Sequence, residues 1–413
     1  MNQFSFESKQ KRVLIGGMIL GLLCLLVTFL GDDANHTRFW SNFLHNSVFF
    51  TGIAFLALFI NTAFTTALAG WYVVFKRVFE AYSLFLIPGL VLMIIIIAGF
   101  WGHFHHLYHW ADPQAFLADE DGFVDEVLSG KSGFLNKNWY TFGTIIIVGM
   151  WIYFAIKLRS FSLDEDKSGT TDYAHYKKIR LWSAIFLPLA GFSSAAIVWQ
   201  WVMSVDAHWY STLFAWYATI SWFVATFASV ILLMIYLKSK GYYENVSDEH
   251  MHDLGKYLFA FSIFWTYLWF SQYMLIWYSN NGEETIYFFL RRENYPVLFF
   301  GNLVLNFIVP FFVLMRNDTK RKYGTLALVA IITFLGHWMD FFLMLKPGIR
   351  ETAMHGHGEH IFAMGYTMPG LLELGTMVGF LSGFLYFVLN RLSQAALVPE
   401  NDPYLGESLH HHV

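Results

Sequence analysis

Cysteine is almost missing from this chain: there is one, Cys24, in 413 residues. A single thiol excludes an intrachain disulfide framework, a four-cysteine iron–sulfur site and the CxxCH attachment of a c-type haem. Charge is scarce too, at 14% of positions, with 26 Lys+Arg against 30 Asp+Glu; a soluble chain carries about 25%. The near balance of signs leaves no strongly basic domain, so nucleic acid is not an expected partner. No internal repeat of about 20 to 50 residues is present, and no connection is long enough for a separate soluble domain. What the sequence has in plenty is apolar side chains, 56% of all positions. That surplus needs hydrocarbon as its solvent, and about ten runs of about 20 residues, each able to cross a core about 30 Å thick, fit within the chain.

The runs lie at 13–30, 48–74, 83–102, 139–156, 181–203, 213–237, 257–279, 296–315, 324–345 and 369–391. They predict an all-α integral membrane protein, a single domain over 1–413 with about ten transmembrane helices. The first run follows Lys9, Lys11 and Arg12, as in a signal peptide, but Gly31, Asp32 and Asp33 stand where a small-residue cleavage site would be. It is therefore expected to remain as a helix. When loops are assigned alternately to two sides, the side of the two termini, Arg391 included, holds 19 of the 26 Lys+Arg. The positive-inside rule then puts both termini in the cytoplasm.

Eight of the ten runs carry no ionisable side chain except at their ends. The exceptions are His337 and Asp340 in the ninth run and Glu373 in the tenth. At about 1.5 Å per residue, His337 and Asp340 lie about 20 and 24 Å from the cytoplasmic start, in the outer half. Glu373, near the start of an oppositely directed helix, shares that level. A charged acid at the bilayer centre costs about 2.5 to 3.5 kcal/mol on insertion scales, so such groups face a bundle interior or a wet cavity. His337 and Asp340, three apart, share a helix face. They form either a helix-locking hydrogen bond or a proton-handling site. Asp206 and His208 follow the fifth run, and Gln272, Glu283 and Glu284 lie around the end of the seventh, all at the outer level. The expectation is one hydrated outer cavity in which His208, Asp206, His337, Asp340 and Glu373 accept and relay protons.

His103, His105, His106 and His109 come before Pro113. If the third helix continues to Trp110, His105 and His109 share one face, and His103 and His106 another. The spacing alone would suit zinc or copper, yet aromatic neighbours dominate and no cysteine supports it, so no metal is expected. One deep histidine, His337, does not hold a haem on both faces, so this chain is expected to bind no redox cofactor of its own. His355, His357 and His360, and the terminal His410, His411 and His412, are expected to be solvated. Glu80, beside Lys76 and Arg77, reads as a solvated ion pair. Asn61, Thr62, Thr65, Thr66, Asn302 and Asn306 suit interhelical hydrogen bonds, or else a water-filled half-channel from the cytoplasm. Interfacial belts absorb many of the 16 Trp and 22 Tyr. Even so, the run Ile263 to Tyr273 (IFWTYLWFSQY) suits a flat slot for a ring-shaped, lipid-soluble molecule, with Trp201, Trp269, Gln272 and Tyr273 as pocket residues.

Quinol oxidation releases two protons and two electrons. This chain offers a ring pocket and proton acceptors but no evident ligands for a redox centre, so a partner would carry the electrons. The stretches Trp199 to Thr212 (WQWVMSVDAHWYST), Asp253 to Asn280 (DLGKYLFAFSIFWTYLWFSQYMLIWYSN) and Glu284 to Arg292 (ETIYFFLRR) resemble the F subunit (ActF) family of bacterial alternative complex III. That family is related to the NrfD and polysulfide-reductase membrane anchors. The resemblance implies two four-helix bundles, about 48–203 and 213–345, two peripheral helices, 13–30 and 369–391, and a cytoplasmic tail, 392–413. It implies a subunit of a quinol:cytochrome c oxidoreductase in the bacterial inner membrane, not catalytic alone, with Asp206 and His208 carried over from the matching motif. The implied partners are a paralogous ActC-type subunit, an iron–sulfur subunit, haem-c subunits, other small membrane subunits and a terminal cytochrome oxidase, amid membrane lipids. The implied ligand is a quinone of the menaquinone type. Two alternatives stay open: a proton-conducting subunit that never binds quinone, and a structural scaffold.

Overall fold

The computed structural model describes residues 3–116, 125–169, 172–354 and 367–412. His355, His357 and His360 lie outside the described residues. Within those residues the chain is helical without a β-strand, apart from one isolated bridge between Gln3 and Ala396. Nine helical segments among them are long and apolar enough to cross a membrane, which makes this an all-α protein of membrane type.

The first two apolar runs form α1 (Ser8–Leu30) and α2 (Thr37–Thr66). Helix α2 begins at Thr37, not at 48, and stops at Thr66, not at 74. Its first turns hold Arg38, Ser41, Asn42, His45 and Asn46, which hydropathy discounts; the last four are buried against other helices. The third run is split into α3 (Lys76–Ser83) and α4 (Leu86–Trp101). Pro88 falls in the first turn of α4, where its missing amide costs no helical bond. After Trp101 the chain turns: Phe104 N–H donates to Gly99 O at 2.8 Å and His103 takes a left-handed φ of 57°. The helix therefore does not reach Trp110, and neither expected histidine pair shares a helical face.

A short α5 (Glu126–Lys131) precedes α6 (Lys137–Ser168), whose cap residue Asn136 accepts from Trp139 N–H at 2.7 Å. Next come α7 (Ala174–Trp201), α8 (Thr212–Ser239), α9 (Asp248–Ser279) and the amphipathic α10 (Gly282–Asn294). Helix α9 is long enough to span, but its Trp, Tyr and polar content keeps it outside the nine. Helices α11 (Pro296–Leu303) and α12 (Val309–Leu314) are joined by a π turn over Val304–Ile308. Pro310 offers no N–H to the Asn306 carbonyl four residues earlier, which loosens the ladder there. Then follow α13 (Asn317–Arg321), α14 (Tyr323–Met354), α15 (Leu371–Leu392) and α16 (Leu405–Leu409).

Helix α2 sits at the centre, packed on α3, α4, α7, α8, α14 and α15. Helix α6 covers α4 and α7, while α8 holds α9 and α14. Helix α1 lies along α15, where Gly17 faces Ser382 and Gly21 faces Gly375 and Gly379; a Cβ on Gly21 would stand 2.4 Å from the Gly379 Cα. This small-residue spacing lets the two backbones touch, as membrane helix pairs do. The rest of α1 leaves Leu20, Leu22, Leu23 and Leu26 exposed.

The chain end folds over the face that carries the amino terminus. Lys76 pairs with Asp402, Arg77 pairs with both Glu80 (2.9 Å) and Asp166, and Asp166 accepts from Glu400 N–H at 2.9 Å. Glu80 and Arg77 are thus buried, correcting the solvated pair expected from sequence. His411, expected to be solvated, is instead partly buried and 2.9 Å from Asp253, while His410 and His412 are exposed.

Candidate functional site

Asp340 lies in the middle of α14 with no solvent exposure. Its carboxylate receives four side-chain donors from three other segments. Tyr217 Oη and Asn302 Nδ2 (2.6 Å) reach Oδ1; Ser221 Oγ (2.8 Å) and Trp265 Nε1 (2.9 Å) reach Oδ2. Helix α8 supplies Tyr217 and Ser221 one turn apart, α9 supplies Trp265, and Asn302 stands just before the π turn. Asn306, inside that turn, donates to Asn302 Oδ1 at 2.5 Å. The polar pair Asn302/Asn306 therefore does make an interhelical bond, and it ends on Asp340. Asn61 and Thr65 instead bond with Tyr72.

His337 completes this cluster, its Nδ1 2.9 Å from Ser221 Oγ. A hydroxyl has one proton, and Ser221 gives it to Asp340. The His337 Nδ1 must therefore carry a hydrogen and donate it. That leaves His337 Nε2 facing the interior, where it makes no hydrogen bond; Asn306 Oδ1 is likewise without one. Among the described residues no lysine or arginine forms an ion pair with Asp340.

Glu373 has a different company. Arg38 binds it in fork geometry, Nε to Oε1 at 2.8 Å and Nη2 to Oε2 at 3.0 Å. Asn42 Nδ2 donates to Oε1 at 3.0 Å, and Gly370 N–H caps α15 through Oε2 at 2.9 Å. The Asn42 Oδ1 accepts from the fully buried Lys346 at 2.6 Å, and Ser41 Oγ accepts from the same ammonium at 2.5 Å. One face of α2 thereby carries both ends of a buried charge network, extended inward by His45 on Trp338 O (2.9 Å) and Trp338 Nε1 on Asn46 (3.0 Å).

Asp206 and His208 form a third group. Asp206 pairs with the buried Arg291 of α10 at 2.8 Å. Arg291 Nε also donates to Leu343 O at 3.0 Å and its Nη2 to Met344 O at 3.1 Å. The Leu343 carbonyl is the one that Pro347 cannot serve, so Arg291 takes the place of the missing amide. Gly348 lets Asp206 approach, because a Cβ there would stand 2.8 Å from its carboxyl carbon. Burial alone would lower the Arg291 pKa, but the Asp206 carboxylate outweighs it and holds the guanidinium above its usual value. His208 points the other way and meets Asp125 at 2.5 Å, at the rim of a cleft of about 160 Å³ that Asp206, Tyr287 and Glu351 also line.

The five expected proton groups therefore do not share one cavity. His337 and Asp340 are together, Asp206 and His208 are neighbours at the cleft, and Glu373 belongs to the α2 network. Position along an apolar run sets expected depth but not azimuth, so groups expected at one level point into different helix interfaces. The expected ring pocket also divides. Trp201 is buried on the other side of α8, bonded to Thr144 at 2.9 Å. Trp269 and Tyr273 do stack, at 5.8 Å and 7°, and Tyr273 walls a cavity of about 440 Å³ with Trp277, Phe288, Phe289 and Arg292. Gln272 is buried beside them, and its Nε2 has no hydrogen bond.

Sequence reasoning missed Arg38, Asn42, Lys346 and Arg291, which lay outside or at the edge of the apolar runs, and Tyr217 and Ser221, whose types are common in any membrane helix; Trp265 stood in the aromatic run expected to line a slot, but its bond to Asp340 was not foreseen. Pro347, directly after Lys346, was the available signal that the ninth apolar run ended on something unusual. Comparison with protein-family models and with curated proteins finds no match to this chain.

Proposed function

We propose that this chain is a membrane subunit of a respiratory quinol:cytochrome c oxidoreductase of the alternative complex III type, moving protons and offering a quinone slot while partner subunits hold the redox centres. The observation that carries this reading is the Asp340 cluster. A buried carboxylate with four neutral donors and, among the described residues, no cation paired with it is a costly arrangement that function would explain. Tyr217, Ser221 and His337 can each donate and accept, so a proton arriving at Asp340 has neighbours through which to pass. Trp265, Trp269 and Tyr273 stack in series along α9, from the Asp340 hydrogen bond to the 440 Å³ cavity. Aromatic walls beside Arg292 and Asn280 suit a quinone ring.

In this reading α9 is a tenth span, α2 to α7 and α8 to α14 form two bundles, and both termini face the cytoplasm of a bacterial inner membrane. An ActC-type subunit, an iron–sulfur subunit and haem-c subunits would accompany it, with menaquinol as the reductant. Purification of the native complex tests the proposal: haem c and iron–sulfur protein should co-purify, and Asp340→Asn should lower quinol:cytochrome c turnover at least ten-fold with assembly intact. Wild-type turnover in that variant would remove Asp340 from the mechanism.

A second reading, proton conduction without quinone, is favoured by one feature, the Asn302–Asn306 pair extending from Asp340 with Asn306 Oδ1 unsatisfied. Proton uptake into vesicles that persists without quinone would support it over the first.

A further inference from the structure

Three loop residues that the Asp340 cluster does not use converge at the rim of the 160 Å³ cleft. They are His109, in the turn after α4, Asp125, the residue before α5, and His208, after α7. One ligand atom from each lies within 4.8 Å of the other two. We propose that His109, Asp125 and His208 form a binding site for a zinc-class divalent cation. This inference is independent of the function proposed above.

Two imidazoles and one carboxylate are the donor set of open, four-coordinate zinc sites, in which water takes the fourth position. Calcium and magnesium ask for six or more oxygens and are disfavoured here. The donors are also held in place. Asp125 spends Oδ1 on the Leu128 N–H at 2.9 Å, which caps α5 and aims Oδ2 at His208, 2.5 Å away. Lys131, at the other end of α5, donates to Ala207 O at 2.7 Å and Trp209 O at 3.3 Å, the carbonyls on either side of His208. Supporting bonds of this kind fix the first ligands of metal sites. The His109 and His208 rings stand 5.8 Å apart. A metal would replace the proton between His208 and Asp125, and their 2.5 Å contact would open to about 3.3 Å, the ligand separation that metal bonds of about 2.0 Å impose at a tetrahedral centre. His208 is the most exposed of the three and is free to make that move.

The test uses the full chain, purified in detergent and stripped with EDTA, then titrated with zinc chloride. One zinc per chain should remain after desalting, with a raised melting temperature and X-ray absorption showing two imidazoles and oxygen at about 2.0 to 2.1 Å. His208→Ala should lose that zinc. Asp125→Asn, which keeps the cap on Leu128, should bind at least ten-fold more weakly. A His410→Ala/His412→Ala variant should retain it, separating this site from the terminal histidines. The proposal fails if wild type retains no zinc, if His208→Ala retains as much as wild type, if only the terminal variant loses it, or if millimolar magnesium displaces it.

Discussion

Asp340 and Glu373 are both buried carboxylates on long apolar helices, and the protein treats them in opposite ways. Glu373 is neutralised by a forked Arg38 and reached through Asn42 by the Lys346 network, so its charge is matched by charge. Among the described residues, Asp340 is surrounded only by neutral donors, on three other segments. A matched pair has one comfortable protonation state and serves to hold α2, α14 and α15 together. A carboxylate solvated by hydroxyl, indole and amide groups has neighbours that reorient when its proton comes or goes. On the proposed reading, the contrast gives Glu373 a structural role and leaves the proton chemistry to Asp340.

The sharpest way to break this comparison is to delete each acid. Asp340→Leu leaves four donors unpaired and should cost about 4 kcal/mol in detergent unfolding; a loss under about 1 kcal/mol would mean water fills the site. Glu373→Gln removes the carboxylate that Arg38 binds in a fork and that faces the Lys346 network, and should cost about 3 kcal/mol. Adding Lys346→Met should recover part of that loss, and additive losses in the double variant would show the two are not coupled.

Acid titration sharpens the picture outside the spans. His105, its ring tilted against Trp40 and bonded to Ile96 O at 3.0 Å, is buried, and burial pushes its pKa from 6.5 down to about 4. The unfolded chain therefore binds a proton that the folded one refuses. Stability should be full above pH 6.5 and fall by about 3 kcal/mol as pH drops from 6.5 to 4. His105→Phe should flatten that slope; an unchanged slope would place the acid sensitivity elsewhere. Gly348→Ala drives a methyl into Asp206 and should cost about 1 to 3 kcal/mol through the Arg291 clamp, readable as a lowered melting temperature. Tyr217→Phe removes a single donor from Asp340 and should cost only about 1 kcal/mol, with a larger loss in turnover than in stability. The reverse pattern would move Asp340 into the structural class with Glu373.

The sequence revealed the helical class, most of the apolar spans and the three ionisable groups inside them, because a charge in a greasy run is visible without neighbours. It did not reveal the start of α2, since Asn42, His45 and Asn46 look like loop residues until α14 and α15 bury them. Nor did it reveal the histidine turn after Trp101, where backbone bonds to Gly99 and the left-handed His103 end a helix that composition would have continued.

What the linear chain determined alone was where apolar length suffices to cross hydrocarbon and which titratable groups lie at what depth, since both follow from spacing along a helix. Which way each group points depends on how helices rotate against one another. That rotation is set by contacts between residues far apart in sequence, such as Gly52 on Trp222, Arg291 on the carbonyl freed by Pro347, and Asn42 between Lys346 and Glu373. Only the packed structure decided that Asp340 and Glu373 would keep different company.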